Sequence, residues 1–310
     1  ALQRYDLRGL ENLQLVRNGS NTSDREGLPP EAEERETIRI ASFNIQSLDL
    51  KKSQDAAAMD ILARIVPEFD IVAIQELRST RPEVLRTLMD LINQAGLRYS
   101  ILVGPQVESN SHGETFAYLY NQATIETDRG AAYVVEDPDD LLRHPPLVGW
   151  FRVRGPTKSE AFTFTLVNVH AAPDRPTTGS GQLDAVFRKV FYQVRDDGRD
   201  EDDLIMLGDF HADDQHLGEL QKVPGLLAAI SATPTDTQQK HQYDNLVFQL
   251  PATGEYTGRS GVFDFLREYN LTLEEALRVS DHLPVWAKFS AYEGGSTPTT
   301  VATRGITQSP

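Results

Sequence analysis

The chain has 310 residues and a formal net charge of −16, from 46 Asp and Glu against 30 Lys and Arg. That length suits one large domain or two small ones, and no apolar run approaches the ~20 residues of a membrane-spanning helix. With no cysteine at all, disulfides and thiolate chemistry are excluded and any metal must be held by oxygen and nitrogen.

Residues 1–37 read as an extension, with a turn-rich stretch at 18–23, Pro29-Pro30 and a charge run over 31–36. Apolar–polar alternation predicts a half-buried strand over 38–45. Ala57, Met59, Ile61, Leu62, Ile65 and Val66 recur at helical spacing, and Pro67 ends that helix. The β-branched run 70–76 reads as a buried strand and 82–95 as a helix. Strands are expected near 99–103, 115–121, 131–135, 147–154 and 161–169, then a helix near 182–195. Further strands are expected at 204–207, 243–249 and 283–289. The Gly, Ser, Thr and Pro-rich stretch 292–310 reads as a tail. Many strands with few helices imply packed sheets covered by helices.

Polar side chains gather where these apolar strands end. Asn44 and Glu76 close the first two, His170 closes 162–169, and Asp209 follows 204–208. Asp244 opens another strand, and Asp281-His282 precede the last. Singly, an Asp after Gly is a turn residue and a His beside an apolar strand is a hydrogen-bonded structural residue. As a set they differ: strand ends in packed sheets converge on one edge, where sites are built. Carboxylates with an amide suit Mg²⁺ or Mn²⁺, and His beside Asp suits proton transfer.

The motifs SFNIQ (42–46), DIVAIQE (70–76), NVHAAP (168–173), LGDFHADD (207–214), YDNLVF (243–248) and SDHLPV (280–285) stand in the order of the endonuclease/exonuclease/phosphatase family. The chain resembles that family over about 38–291, most of all its deoxyribonuclease I branch. RIVPEFDIVAIQELRS (64–79), the triplet 143–145 and the run 261–285 add to the likeness. The resemblance implies a four-layer α/β sandwich (α+β in the broad sense) of two packed, mainly antiparallel sheets flanked by helices. It implies a catalytic domain over 38–291 between the extension and the tail. It also implies a metal-dependent phosphodiesterase acting on DNA. The alternative within the same catalytic set is action on small phosphates, phosphoinositides or phospholipids.

By the same resemblance, Glu76 is the main metal ligand with Asn44 and Asp281 beside it. Asp209 binds metal or orients the attacking water, and Asn44 also faces substrate. His282 pairs with Asp244, and His170 with Glu114. Arg78 and Arg143 contact DNA. The implied cofactor is Mg²⁺ or Mn²⁺, with Ca²⁺ possible at Glu136, Asp137, Asp139 and Asp140, where a solvated acidic loop is the plainer reading. No obligate protein partner is implied. A secreted or cell-envelope place is favoured over the cytoplasm.

Three positions depart from the family pattern. His211 replaces the Asn of Gly-Asp-Phe-Asn, which keeps a hydrogen-bond donor and adds an imidazole that a softer ion would accept. His112 stands where deoxyribonuclease I has a groove-packing Tyr, and Gln46 where it has Arg; both weaken tight groove binding.

Overall fold

The computed structural model describes residues 36–78, 81–104, 114–137, 142–171, 182–195 and 201–295. In chain order the elements are β1 (Thr37–Leu48), α1 (Leu50–Ser53), α2 (Ala56–Ile65), β2 (Ile71–Leu77), α3 (Pro82–Asn93), β3 (Tyr99–Val103) and β4 (Thr115–Asn121). There follow β5 (Ile125–Thr127), β6 (Tyr133–Val134), β7 (Leu147–Val153), β8 (Thr163–His170), α4 (Gln182–Arg195) and β9 (Leu204–Asp209). The last are β10 (Leu226–Ala228), β11 (Asp244–Gln249), β12 (Tyr256–Val262), α5 (Phe265–Glu268), α6 (Leu273–Val279) and β13 (Val285–Ser290).

These strands form two sheets. One has the order β12-β13-β1-β2-β4-β3, the other β10-β11-β9-β8-β7-β5, with β6 beside β7. Only β1–β2 and β8–β9 run parallel. Their crossovers carry α2 and α4, as parallel pairing requires.

Three buried clusters define the layers. Ile38, Ile40, Ile71 and Tyr118 from one sheet meet Phe151, Phe164, Leu166, Ile205 and Phe248 from the other. The outer face of the first sheet (Phe43, Ile45, Val72, Ile74) packs on Met59, Leu62, Leu88 and Val279 of the helices. The outer face of the second (Val167, Val169, Met206) packs on Val190, Phe191 and Val194 of α4. The result is helix, sheet, sheet, helix, in agreement with the expected sandwich. Tyr118 pins the two sheets together, its hydroxyl lying 2.7 Å from the Leu147 carbonyl oxygen and 3.0 Å from that of Leu166.

Helix ends follow sequence signals. Asp55 caps α2 by accepting from the Ala58 N–H at 3.1 Å, Pro82 opens α3, and Thr272 with Glu275 forms a capping box on α6. Of the strand expected near 131–135, only Tyr133–Val134 pairs, and Ala131 ends the 3₁₀ turn Arg129–Ala131. Six elements lay outside the expectation: α1, β5, β10, β12, α5 and α6. β12 is a largely exposed edge strand with Gly258 and Gly261, so it carries no alternation to detect. Residues 1–35 of the expected extension and most of the expected tail, with His112, Asp139 and Asp140, lie outside the described residues, while Thr37 opens β1.

Candidate active site

The site grows from the period of two along each strand. On β1 the face between the sheets reads Ile38, Ile40, Ser42, Asn44; on β8 it reads Phe164, Leu166, Asn168, His170; on β9 it reads Ile205, Leu207, Asp209. Each strand is apolar at one end and polar at the other, on the same face. Registry brings the polar ends together, because Asp209 lies opposite both His170 and Asp244. Gln75 closes the floor. Its side-chain nitrogen donates to Asn168 Oδ1 at 2.6 Å and to Ser42 Oγ at 3.0 Å, while Asn168 donates to the Ile74 and Ala117 carbonyls.

Above that floor stand two His–carboxylate pairs. His170 Nδ1 lies 2.7 Å from Glu114 Oε1, and His282 Nδ1 lies 2.9 Å from Asp244 Oδ2. Both carboxylates are buried. With Nδ1 held, each ring turns Nε2 inward, and the two Nε2 atoms lie 3.7 and 3.6 Å from Asp209 Oδ2. His211 Nε2 approaches the same oxygen at 3.5 Å. These spacings exceed a hydrogen bond, so the three imidazoles surround Asp209 without being bound by it.

Burial works against charge on both paired rings, but the carboxylates prevail. His282 is raised to about 10 by Asp244, Asp209 and Asp281, and His170 is raised by Glu114 and Asp209. Burial also pushes Asp244 up against the pull of His282, so the two act as one proton-sharing pair with the proton on the imidazole. His211, with no hydrogen-bonded carboxylate on its ring, is instead lowered by burial.

On the opposite wall, Glu76 sits where β2 breaks register, with φ +59°. Its Oε2 accepts from Ser47 Oγ and pairs with Arg78, both at 2.9 Å, and its Oε1 accepts from Asn44 Nδ2 at 3.3 Å. The same Asn44 nitrogen reaches Asp209 Oδ2 at 3.1 Å. Of seven non-glycine residues with positive φ among the described residues, Gln46, Ser47, Glu76 and His211 lie at this mouth. Such backbone is strained and persists where surrounding contacts over-determine it. One contact here is Lys52, whose ammonium donates to the carbonyls of Ile45, Gln46 and Val279; burial lowers it to about 8.

Two carboxylates, Glu76 and Asp209, thus share a single amide donor. That electron-rich wall, with Asp281 nearby and half-exposed beside His282 Nε2 at 3.9 Å, fits a hard divalent cation held by oxygen. Asn44 Oδ1 is turned to the Gln46 N–H at 3.0 Å, so its nitrogen, not its oxygen, faces the two carboxylates. Arg143 is exposed next to the buried His144. Asp137 accepts from the Leu142 N–H at 2.6 Å.

Sequence reasoning passed over His144, Lys52, Gln75 and Asn168. His144 stacks on His170, with ring centroids 5.1 Å apart and planes 8° apart, and its Nε2 lies 3.5 Å from Glu114 Oε2. Burial lowers it to about 4. Its only sequence signal was a His inside the triplet 143–145.

A cleft of about 640 Å³ opens beside His211, lined by Phe210, Pro234, Lys240, His241 and Tyr243 among others. The Tyr243 ring touches both His211 and His282, with centroids 5.4 and 5.8 Å away.

Fold and site together define a hydrolase built on two packed sheets. The model of the Endonuclease/Exonuclease/phosphatase family matches residues 41–216. Deoxyribonuclease gamma of Homo sapiens is 26% identical over 271 residues, covering 82% of this chain and 86% of that protein. Deoxyribonuclease-1-like 1 of Sus scrofa is 31% identical over 281 residues, covering 86% of each. A conserved protein of unknown function from Enterococcus faecalis V583 shares the fold, with TM-score 0.57 and 17% identity over 83% of this chain and all of that one. The chain belongs to the endonuclease/exonuclease/phosphatase family.

Proposed function

We propose that the protein is a divalent-metal-dependent endonuclease that hydrolyses DNA phosphodiester bonds by in-line attack of water. The observation that carries the reading is the convergence of two carboxylate-held histidines on Asp209. A phosphodiester anion repels nucleophiles, so the site must offset charge, align water and supply protons to oxygen.

Each imidazolium donates from Nε2 to a phosphate oxygen, while Glu114 or Asp244 fixes its Nδ1–H. Asp209 accepts from the attacking water and orients it. Neutral His211 adds one further donor. Asn44 holds Glu76 and Asp209 in place through one amide nitrogen. A divalent cation bound by Glu76, Asp281 and Asp209 would offset phosphate charge and lower the pKa of a bound water. Arg78 and the exposed Arg143 extend positive charge from the mouth, which suits a polyanionic strand. The relatives named as deoxyribonucleases support DNA over a small phosphate.

The test is supercoiled plasmid with Mg²⁺, Mn²⁺ or EDTA, run beside a small aryl phosphodiester and inositol phosphates. Metal-dependent relaxation is expected. Turnover confined to the small phosphates would replace the reading with a phosphatase, and an intact plasmid in every metal would end it.

A further inference from the structure

A second group of carboxylates lies at the other end of the sheets. Asp203 precedes β9, Glu255 precedes β12, and Glu293 follows β13. Asp203 and Asp209, which ends β9, are six positions apart, about 20 Å at the rise of an extended chain. One oxygen from each of Asp203, Glu255 and Glu293 lies within 4.8 Å of the others.

Asp203 and Glu255 are 1% and 2% exposed. Asp203 Oδ1 and Glu255 Oε2 are buried with no hydrogen-bond donor. No Lys or Arg among the described residues forms an ion pair with any of the three. Their remaining oxygens are only partly engaged: Gly294 N–H donates to Glu255 Oε1, and Thr163 N–H donates to Glu293 Oε2 at 3.2 Å. Thr253, fully buried, lies against Asp203. Glu201 borders the group, accepting from the Asp203 N–H at 3.1 Å and from Trp150 Nε1 at 3.2 Å.

Buried carboxylates are normally paired or hydrogen-bonded. Here two buried oxygens are left over among like charges, a deficit that a cation from outside the chain would fill. We propose that Asp203, Glu255 and Glu293, with the Thr253 hydroxyl, form a structural Ca²⁺ site. The ligand chemistry is all oxygen and carboxylate-rich, as Ca²⁺ requires. A site built from protein oxygens suits Ca²⁺, which takes many such ligands in a flexible geometry, better than Mg²⁺, which keeps several of its waters. The ion would join β9 of one sheet to β12 and β13 of the other, so its role is to hold the sheets together far from the reacting atoms.

The test is thermal unfolding of the full chain in EDTA, in Ca²⁺ and in Mg²⁺, with Tb³⁺ luminescence on Trp excitation as a direct readout, since Trp150 is bonded to Glu201. Ca²⁺ is expected to raise the melting temperature by several degrees and Mg²⁺ by much less. Trp-sensitised Tb³⁺ emission should appear and be displaced by Ca²⁺. Both effects should vanish in Asp203→Asn and persist in Glu76→Gln, which alters only the other metal-binding wall. Should Asp203→Asn fail to fold, the exposed Glu293→Gln decides: it should weaken Ca²⁺ binding by tenfold or more. Plasmid relaxation in Mg²⁺ should be unchanged in Glu293→Gln. An unaltered melting temperature in Ca²⁺, or a Ca²⁺ effect undiminished in these variants, would overturn the proposal.

Discussion

Asn44 Nδ2 donates to Asp209 Oδ2 across 3.1 Å, joining β1 of one sheet to β9 of the other at the mouth of the site. Both side chains are fully buried, so the bond is unscreened by solvent. Asn44→Ala removes the amide donor from Asp209 Oδ2 and leaves only the His211 N–H on Oδ1, a cost of about 1–3 kcal/mol. We expect a lower urea midpoint and a loss of plasmid relaxation of about a hundredfold or more. A variant within twofold of the parent in both assays would show that the amide has no part in holding the carboxylates.

Asp244 and His282 act as a unit, so their losses do not add. Asp244→Asn and His282→Ala should each lower kcat/KM by about 10²- to 10⁴-fold. The double variant should be no worse than His282→Ala alone. Multiplying losses would mean that Asp244 acts on something other than the ring.

The raised His282 also sets a pH window for stability. The ring is charged in the folded state up to about 10 and in the unfolded chain only up to about 6.5. Its contribution is therefore complete below pH 6.5 and is lost as pH rises through 10. The difference in unfolding free energy between parent and His282→Gln should be largest near pH 6 and shrink steadily toward pH 10. A difference that grows with pH would reverse the assignment of charge.

His211 is lowered by burial and neutral at pH 7. His211→Asn keeps a neutral donor and should retain activity within about tenfold near pH 7.5. Removing the imidazole should shift metal preference, lowering the ratio of Mn²⁺- to Mg²⁺-supported rates. Identical metal and pH profiles for the two proteins would make the His a plain substitute for the amide.

Much of this site was visible before any coordinates, for a physical reason. A strand alternates its faces, so residues such as Asn44, Asp209 and His170 were already committed to the same side as the apolar residues an even number of positions earlier. Strand ends were enough to place them. Two of the residues that went unnoticed act through distance in space rather than place in a strand. Lys52 reaches back from α1 to brace carbonyls at the end of β1, and His144 matters through its stack on His170. Neither has a periodic signal. β12 was hidden for a related cause: an exposed edge with two glycines has no buried face to imprint a pattern. The cluster at Asp203, Glu255 and Glu293 comes from three strand ends separated by long stretches of chain, and only the registry of both sheets brings it together.

Gly208 sets where Asp209 points. Its φ is +150°, and a Cβ there would lie 1.9 Å from the Val169 carbonyl oxygen. No rotamer relieves a clash with backbone, so Gly208→Ala must push β8 and β9 apart. We expect a destabilisation of several kcal/mol, at the upper end of single substitutions, read as a large drop in melting temperature. A melting temperature within a degree or two of the parent would show that these strands yield more easily than their packing suggests.

The amide floor made by Gln75, Asn168 and Ser42 separates an oily middle from a wet mouth. Its hydrogen bonds are satisfied among themselves and with neighbouring carbonyls, so nothing beneath it depends on what stands above. New reactivity can therefore be installed at the rim by exchanging a few polar groups, while the same hydrocarbon interior is inherited unchanged.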